Sequence, residues 1–206
     1  MRVQSASDVI AGKNNKEAFK SSKALAALTY MLSLLGGKGD KHELIKMMYW
    51  LERKYIIETG FPMFYDQAFS LEYGPILSQV LDNMNTCNTE TAPWYGHIRR
   101  NPPYEFELIR EGDFDELSDY DEELITQTVN QFKNLDFSRR TEFFHALPEY
   151  TRVPEGQRKE ISYRVILEKE TDISQEDVAY ALFEIESAKG LFIPIIEALF
   201  YVIILM

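Results

Sequence analysis

The sequence predicts a mainly α-helical protein with a small β-hairpin or sheet, an α+β fold closed into one compact helical domain. Apolar residues recur at three- and four-residue spacing through most of the chain, which is the period of an amphipathic helix. One short segment, Tyr104–Ile109, instead alternates apolar and charged side chains, as a strand with one buried face does. The chain has 206 residues and is 45% apolar, which is enough to form one substantial core.

The N-terminal part predicts a leader followed by a helix. Residues 1–15 are small and polar, and they predict a loosely held leader. A helix is predicted from Glu17 to Leu35, where Gly36 and Gly37 end it. The glycine-rich run 36–40 follows this helix rather than a strand, and it lacks the Gly-Lys-Ser/Thr ending of a phosphate loop. We therefore predict no nucleotide site here.

The central element is a helix that starts after Asp40. An Asp at this position can accept hydrogen bonds from the free amides of the first turn, and Glu43 follows three residues later. Gly60 predicts the end of the helix, because glycine readily takes the left-handed conformation of a C-terminal cap. The apolar residues occupy more than one face, so we expect burial on several sides: Leu44, Ile45, Met47, Met48, Tyr49, Leu51, Tyr55 and Ile56.

An aromatic connection follows this helix. The residue before Pro62 is held out of the helical conformation by the proline ring, so the chain is extended or turned there. A second helix is predicted to begin at Gly74-Pro75, with Pro75 at the first helical position, where its missing amide costs nothing. Its apolar stripe comprises Ile76, Leu77, Val80, Leu81 and Met84.

The segment from Asn85 to Pro103 is predicted to be a long polar loop. Loops of more than about 12 to 15 residues are usually functional or mobile. Trp94, Tyr95, Arg99 and Arg100 lie in it, and these residue types are enriched at interface hot spots. They predict a partner-binding patch. The alternative is that Trp94 covers the core.

The strand Tyr104–Ile109 needs a partner, and we expect it to pair with Phe69–Leu71. The run from Glu111 to Glu123 contains acidic residues and no basic one, which predicts a solvated helix start at Ser118. An acidic docking patch is the alternative for this run.

The C-terminal half predicts three short helices. Ser138 is expected to cap a helix over Arg139–Leu147, and Ser162 to open one that runs through Lys169. A third is expected to start at Ser174 and to end at Gly190. The histidines have no metal-ligand spacing, so we expect a structural role with a bond to a backbone carbonyl for each of them: His42, His97 and His145.

The last sixteen residues, LFIPIIEALFYVIILM, are the most apolar stretch. Pro194 and Glu197 interrupt them, and a bilayer needs about 20 apolar residues, so a membrane anchor is the lesser alternative. We expect the segment 191–206 to pack on the domain or on another chain. Its candidate contact residues are Leu191, Phe192, Ile195, Ile196, Leu199 and Phe200.

Composition restricts the function. A formal net charge of −11 disfavours nucleic acid as the main ligand, because phosphate binding needs concentrated cations. The single Cys87 excludes an intramolecular disulfide and fits a reducing cytoplasm, and the N-terminus has no continuous apolar run for export. We find no nucleophile with a base, no metal cluster and no cofactor loop in the sequence. We therefore expect a binding protein without cofactors rather than an enzyme.

Three segments in order carry a family resemblance: LIKMMYWLERKY, then TGFPM, then FSLEYGPI. Together they resemble the Panacea domain of the SocA-like antitoxins, and the likeness continues more weakly to about Glu170. Trp50 and Glu52 depart from the pattern, in which a small residue and an Asp are usual. The residues expected to form the structural motif are Asp40, Tyr49, Gly60, Pro62, Tyr73, Gly74, Pro75 and His145.

The resemblance implies a Panacea-like helical domain over 16–190 that neutralises a cognate protein toxin by direct contact. A second copy of the chain, in a homo-oligomer, is a further candidate partner. The alternatives are a winged-helix-like transcription regulator and a membrane-peripheral protein held by its apolar C-terminus.

Overall fold

The computed structural model describes residues 19–170 and 172–188. The leader predicted at 1–15 and the apolar segment predicted at 191–206 lie outside these residues. The described part contains seven α-helices and two three-stranded antiparallel sheets, which confirms the predicted α+β class. The helices are α1 (Ser21–Leu34), α2 (Lys41–Thr59), α3 (Ser78–Thr86), α4 (Asp119–Phe132), α5 (Phe137–His145), α6 (Tyr163–Lys169) and α7 (Gln175–Ala188). The strands are β1 (Lys38–Asp40), β2 (Ala68–Leu71), β3 (Gly74–Leu77), β4 (Ile98–Asn101), β5 (Glu105–Leu108) and β6 (Lys159–Ile161).

Helix α2 is the centre of the fold, as its sequence predicts. The Asp40 side chain accepts hydrogen bonds from the amides of His42 and Glu43, and Gly60 ends the helix with a φ of 79°. Helices α1, α4, α5 and α6 all pack against α2, so its side chains are buried around most of its circumference. Burial on several sides is therefore confirmed.

The first sheet has the order β1-β5-β4. Strand β5 confirms the predicted strand, but the prediction that it pairs with Phe69–Leu71 is wrong. Its neighbours are β4, which precedes it in a hairpin, and β1, where Gly39 lies opposite Phe106. The hairpin needs only a short turn, so this local pairing costs little chain entropy.

The second sheet has the order β3-β2-β6, and it shows that the predicted helix start at Gly74-Pro75 is wrong. Gly74, with a φ of 102°, follows the tight turn after β2 and leads into β3, where Pro75 lies opposite Ser70. Proline fits there because β3 is an edge strand, in which a missing N–H removes no ladder bond. Helix α3 begins only at Ser78.

The start of α3 is capped from a distance. The carboxylate of Asp66 accepts hydrogen bonds from the amides of Gln79 and Val80, over 3.0 and 2.9 Å. Burial is the main cause that raises the pKa of Asp66 to about 6. Asp66 lies 13 and 14 residues before the two amides that it caps, so local sequence patterns do not reveal this cap.

The caps of the later helices are mostly those predicted. Ser118 forms a capping box with Asp121 at the start of α4, and Ser162 and Ser174 accept from amides in the first turns of α6 and α7. The prediction that Ser138 caps α5 is wrong. The cap of α5 is Asp136, whose carboxylate accepts from the Arg139 amide over 2.9 Å.

One element boundary and one strand also differ from the prediction. Helix α1 begins at Ser21 rather than at Glu17, and the Lys20 amide donates to the carbonyl of Phe64 instead of joining a helix. Strand β6, just before α6, was not predicted, and β2 supplies its pairing partner. Within the described residues, no helix has the length and apolar character needed to cross a bilayer.

Candidate partner-binding site

An apolar groove opens between the start of α2, the turn that joins β2 to β3, and the start of α5. It has a volume of about 510 Å³, and we call it the aromatic groove. Three aromatic side chains on its walls are strongly exposed: Tyr73 at 50%, Phe137 at 48% and Tyr104 at 63%. His42, Ile45 and Lys46 of α2 also line it.

One wall of the groove is held by ring contacts. The Phe137 ring lies 5.4 Å from the Tyr73 ring and 4.4 Å from the His42 imidazole, measured between centroids. His42 Nε2 also lies 3.5 Å from the carbonyl oxygen of Tyr73. Burial is the main reason that the pKa of His42 is lowered to about 4, so this imidazole is neutral at pH 7.

Lys46 lies at the base of the groove with only 2% of its surface exposed. Its Nζ donates a hydrogen bond to the carbonyl oxygen of Pro75 over 2.8 Å, and it lies 5.9 Å from the centroid of the Phe144 ring. Burial lowers its pKa to about 7. A Cβ at Gly74 would lie 3.1 Å from this Nζ, so glycine is needed both for the turn and for room beside the ammonium.

The polar residues deeper in α2 hold the fold together. Tyr49 Oη and Arg53 Nε both donate to Oε1 of Glu149 over 2.8 Å, and Arg53 also donates to Glu170. Burial is the main cause that raises the pKa of Tyr49 well above its ordinary value. These bonds join the middle of α2 to segments about 100 residues later in the chain.

A second buried carboxylate lies beside this set. Glu52 accepts hydrogen bonds from the Phe64 amide over 2.7 Å and from the Tyr163 phenol over 2.6 Å. Burial nevertheless dominates and raises the pKa of Glu52 to about 7. The larger residue at this position, compared with the Asp expected from the resemblance, therefore has a structural partner on each oxygen.

Most of α2 and most of the residues that line the groove lie within the part of the chain that a family comparison covers. The model of the SocA-like antitoxin family, Panacea domain, matches residues 44–150, just over half of the chain. The chain belongs to this family. The family supports an antitoxin-type role in general. No curated protein matches the chain, and no solved structure does.

The residues expected to form the structural motif have two kinds of position. Asp40, Tyr73 and Gly74 line the aromatic groove. The others shape the framework around it: Tyr49 binds Glu149, Gly60 caps α2, Pro62 is buried, Pro75 offers its carbonyl to Lys46, and His145 contacts the carbonyl of Glu72 over 3.0 Å.

The expected contact of each histidine with a backbone carbonyl is confirmed. His145 Nε2 lies 3.0 Å from the Glu72 carbonyl oxygen, and His97 Nδ1 lies 3.1 Å from the Glu111 carbonyl oxygen. His42 has the longer contact with Tyr73 described above. Each imidazole therefore lies against a backbone carbonyl, as predicted.

The four residues predicted as a partner-binding patch do not form one surface. Trp94 is 1% exposed, and its indole Nε1 donates to Ser21 Oγ over 3.2 Å, so its side chain belongs to the core. Tyr95 next to it is 44% exposed. Arg99 pairs with Glu107 over 2.6 Å. Arg100 instead lies near Lys41 of the groove, whose pKa is lowered mainly by burial and further by the charge of Arg100.

The sequence analysis did not assign four residues to a site although they line the groove: Lys41, Lys46, Tyr104 and Phe137. Tyr104 was assigned only to a strand, and Phe137 lies next to the cap rather than in an apolar stripe. Lys46 did leave a signal, because it stands between apolar residues in a helix that is buried on several sides. A buried charged residue needs a polar partner, so Lys46 indicated that another segment of the chain packs beside it. In the structure that segment is the turn before β3, which lines the groove.

Proposed function

We propose that this protein is an antitoxin that neutralises a cognate protein toxin by direct contact, and that it acts by binding rather than by catalysis. The match to the SocA-like antitoxin family supports an antitoxin-type role. We also propose that it acts in the cytoplasm, which the single free cysteine, Cys87, supports.

The observation that carries this proposal is the aromatic groove. Tyr73, Tyr104 and Phe137 expose about half or more of their surface on an apolar depression. Aromatic side chains are enriched at the hot spots of protein interfaces, and an apolar surface that is open to water gains free energy when a partner covers it. All three lie in the segment that the family model matches.

The charge of the chain supports a basic partner. The net charge is −11, and the run that leads into α4 has most of its acidic side chains at the surface. A negative surface accelerates encounter with a positive one by steering, and it does so without adding much affinity. We propose this steering role for the acidic run, with the groove as the contact.

Two further surfaces remain candidates on sequence grounds. Tyr95, Arg99 and Arg100 lie around β4, and of these Tyr95 is the exposed aromatic residue. The apolar residues 191–206 would suit a contact with the toxin, although they lie outside the described residues.

The test is co-expression of the neighbouring reading frame with and without this chain. We expect the neighbour alone to stop growth and the wild-type chain to restore it. A Tyr73→Ala/Phe137→Ala double variant should lose rescue, because both rings are exposed and lie on the groove. Tyr180→Ala is the matched control, since Tyr180 is 66% exposed on α7, away from the groove.

Growth that is equal with and without the wild-type chain contradicts the proposed function. The double variant should remain folded at the growth temperature, as measured by circular dichroism, so that lost rescue reflects lost contact. Rescue by the double variant at wild-type level would remove the groove as the contact surface.

A further inference from the structure

The buried ammonium of Lys46 has an incomplete set of partners. An ammonium carries three N–H donors, and among the described residues Nζ makes one hydrogen bond, to the carbonyl of Pro75. None of the ten ion-pair contacts within residues 19–170 and 172–188 involves Lys46. A buried cation is normally paired, because removal from water is costly.

The surroundings of Lys46 offer it little negative charge. Of the ionisable groups nearby, His42 and His145 are imidazoles whose pKa values burial lowers, with the charge of Lys46 acting in the same direction. Asp40 lies on the groove, but its carboxylate accepts from two amides at the start of α2 and lies 3.7 Å from Arg140. The charge at the base of the groove is therefore positive.

The shape of the groove places this cation below an apolar surface. Lys46 shares the lining with Ile45, Ile76 and the aromatic rings of Tyr73 and Phe137. A ligand that complements both features has apolar groups and one anionic group that reaches Nζ. A carboxylate bound there would form a charge-assisted hydrogen bond in a region with little water, where such bonds are strong.

We propose that the aromatic groove binds an apolar segment of the toxin that carries a carboxylate, and that this carboxylate pairs with Lys46. The inference rests on the proposed function, since it names the part of the partner that the groove receives. The aromatic walls supply most of the contact area. Lys46 supplies the preference for an anion, because Nζ can keep its bond to Pro75 and still offer two donors.

A structural role for Lys46 makes a different prediction. If the ammonium only holds β3 through the Pro75 carbonyl, then its removal should lower stability. In that case the wild type should bind charged and neutral ligands equally well. The two roles are therefore separated by a pair of probes that differ only in charge.

We would titrate the full-length chain with 2-naphthylacetate and with the neutral 2-naphthylacetamide by calorimetry at about pH 6, below the Lys46 pKa of about 7. The wild type should bind the acid more tightly than the amide, on the order of tenfold. Lys46→Met should bind both probes with the affinity of the amide. Phe137→Ala should weaken both probes, and Lys54→Met, which removes a lysine of the same helix that lies outside the groove, should change neither.

A measurement on the wild type covers the case in which Lys46→Met does not fold. Lysine-selective NMR should show that 2-naphthylacetate raises the pKa of Lys46 and that 2-naphthylacetamide does not. Equal affinities of the wild type for the two probes, no binding of either probe, or a preference that survives in folded Lys46→Met would each overturn the proposal.

The growth assay separates this inference from the proposed function. If the wild-type chain does not rescue growth, the proposed function fails, while the probe titration still decides the chemistry of the groove. If the wild type rescues growth and folded Lys46→Met rescues it equally at matched expression, then the carboxylate contact is wrong and the antitoxin function stands.

Discussion

Arg53 Nε donates a hydrogen bond to Oε1 of Glu149 over 2.8 Å, and this ion pair joins α2 to the end of the family-matched segment. The Glu149 side chain is fully buried, and Tyr49 donates to the same oxygen. The middle of the central helix is therefore tied to a residue that is distant in sequence.

Loss of this pair should be costly. In Glu149→Ala, Tyr49 loses its acceptor, and the buried Arg53 keeps only Glu170, whose side chain is 25% exposed. We expect the free energy of unfolding, measured with urea, to fall by about 3 kcal/mol or more. Glu168→Ala, which breaks an exposed pair with Arg164, should cost less than about 1 kcal/mol. Equal costs for the two variants would contradict the buried role of Glu149.

Glu52 should make stability depend on pH. Its pKa is raised from 4.5 to about 7, mainly by burial, so the folded protein binds a proton more tightly than the unfolded chain between these values. The contribution of Glu52 to stability is therefore fully present below about pH 4.5 and is lost as the pH rises to about 7. In total this change is roughly 3 kcal/mol.

The measurement compares the wild type with Glu52→Gln. His42 and Asp66 also have shifted pKa values in this range. The contribution of His42 is common to both proteins and cancels in the difference, whereas that of Asp66 cancels only in part, because the charge of Asp66 helps to raise the pKa of Glu52. The free energy of unfolding of the variant relative to the wild type should rise by roughly 3 kcal/mol between about pH 4.5 and pH 7.5. A constant difference across this range would show that Glu52 keeps an ordinary pKa.

The cap of α5 offers a test of one corrected prediction. Asp136→Ala removes the acceptor for the Arg139 amide and should reduce the free energy of unfolding by about 1 kcal/mol. Ser138→Ala changes an exposed residue inside the first turn and should cost less than about 0.5 kcal/mol. The reverse order in urea unfolding would restore Ser138 as the cap.

Trp94 and Tyr95 should respond in opposite ways although they are neighbours. Trp94→Ala empties a core position and should destabilise the protein by about 3 to 5 kcal/mol. Tyr95→Ala, at an exposed position, should change stability by less than about 0.5 kcal/mol. Thermal unfolding distinguishes them, and a large loss for Tyr95→Ala would place that side chain in the core.

Much of the helical structure could be predicted because its signals are local. The cap at Asp40, the stop at Gly60 and the capping box at Ser118 each involve residues within a few positions of the helix end. Their hydrogen bonds form within one turn of chain, so the pattern of side chains contains the information. The family motif was readable for the same reason, since its segments are short and ordered.

The sheets and the groove could not be predicted in this way. Gly74-Pro75 suits a helix start and an edge strand equally well, and the pairing with β2 decides between them. The cap of α3 comes from Asp66, which is remote from local helix signals. Strand β5 likewise takes β1 as a partner from 65 to 69 residues earlier in the chain.

By itself, the sequence determined the α+β class, the central buried helix and its ends, and the membership of the antitoxin family. Only the tertiary structure decided that Trp94 lies in the core and that His42, Tyr73 and Phe137 meet around Lys46. The physical reason is the range of the interactions. Helix caps and periodic burial depend on neighbours in sequence, whereas a groove and its buried charge depend on which distant segments pack together.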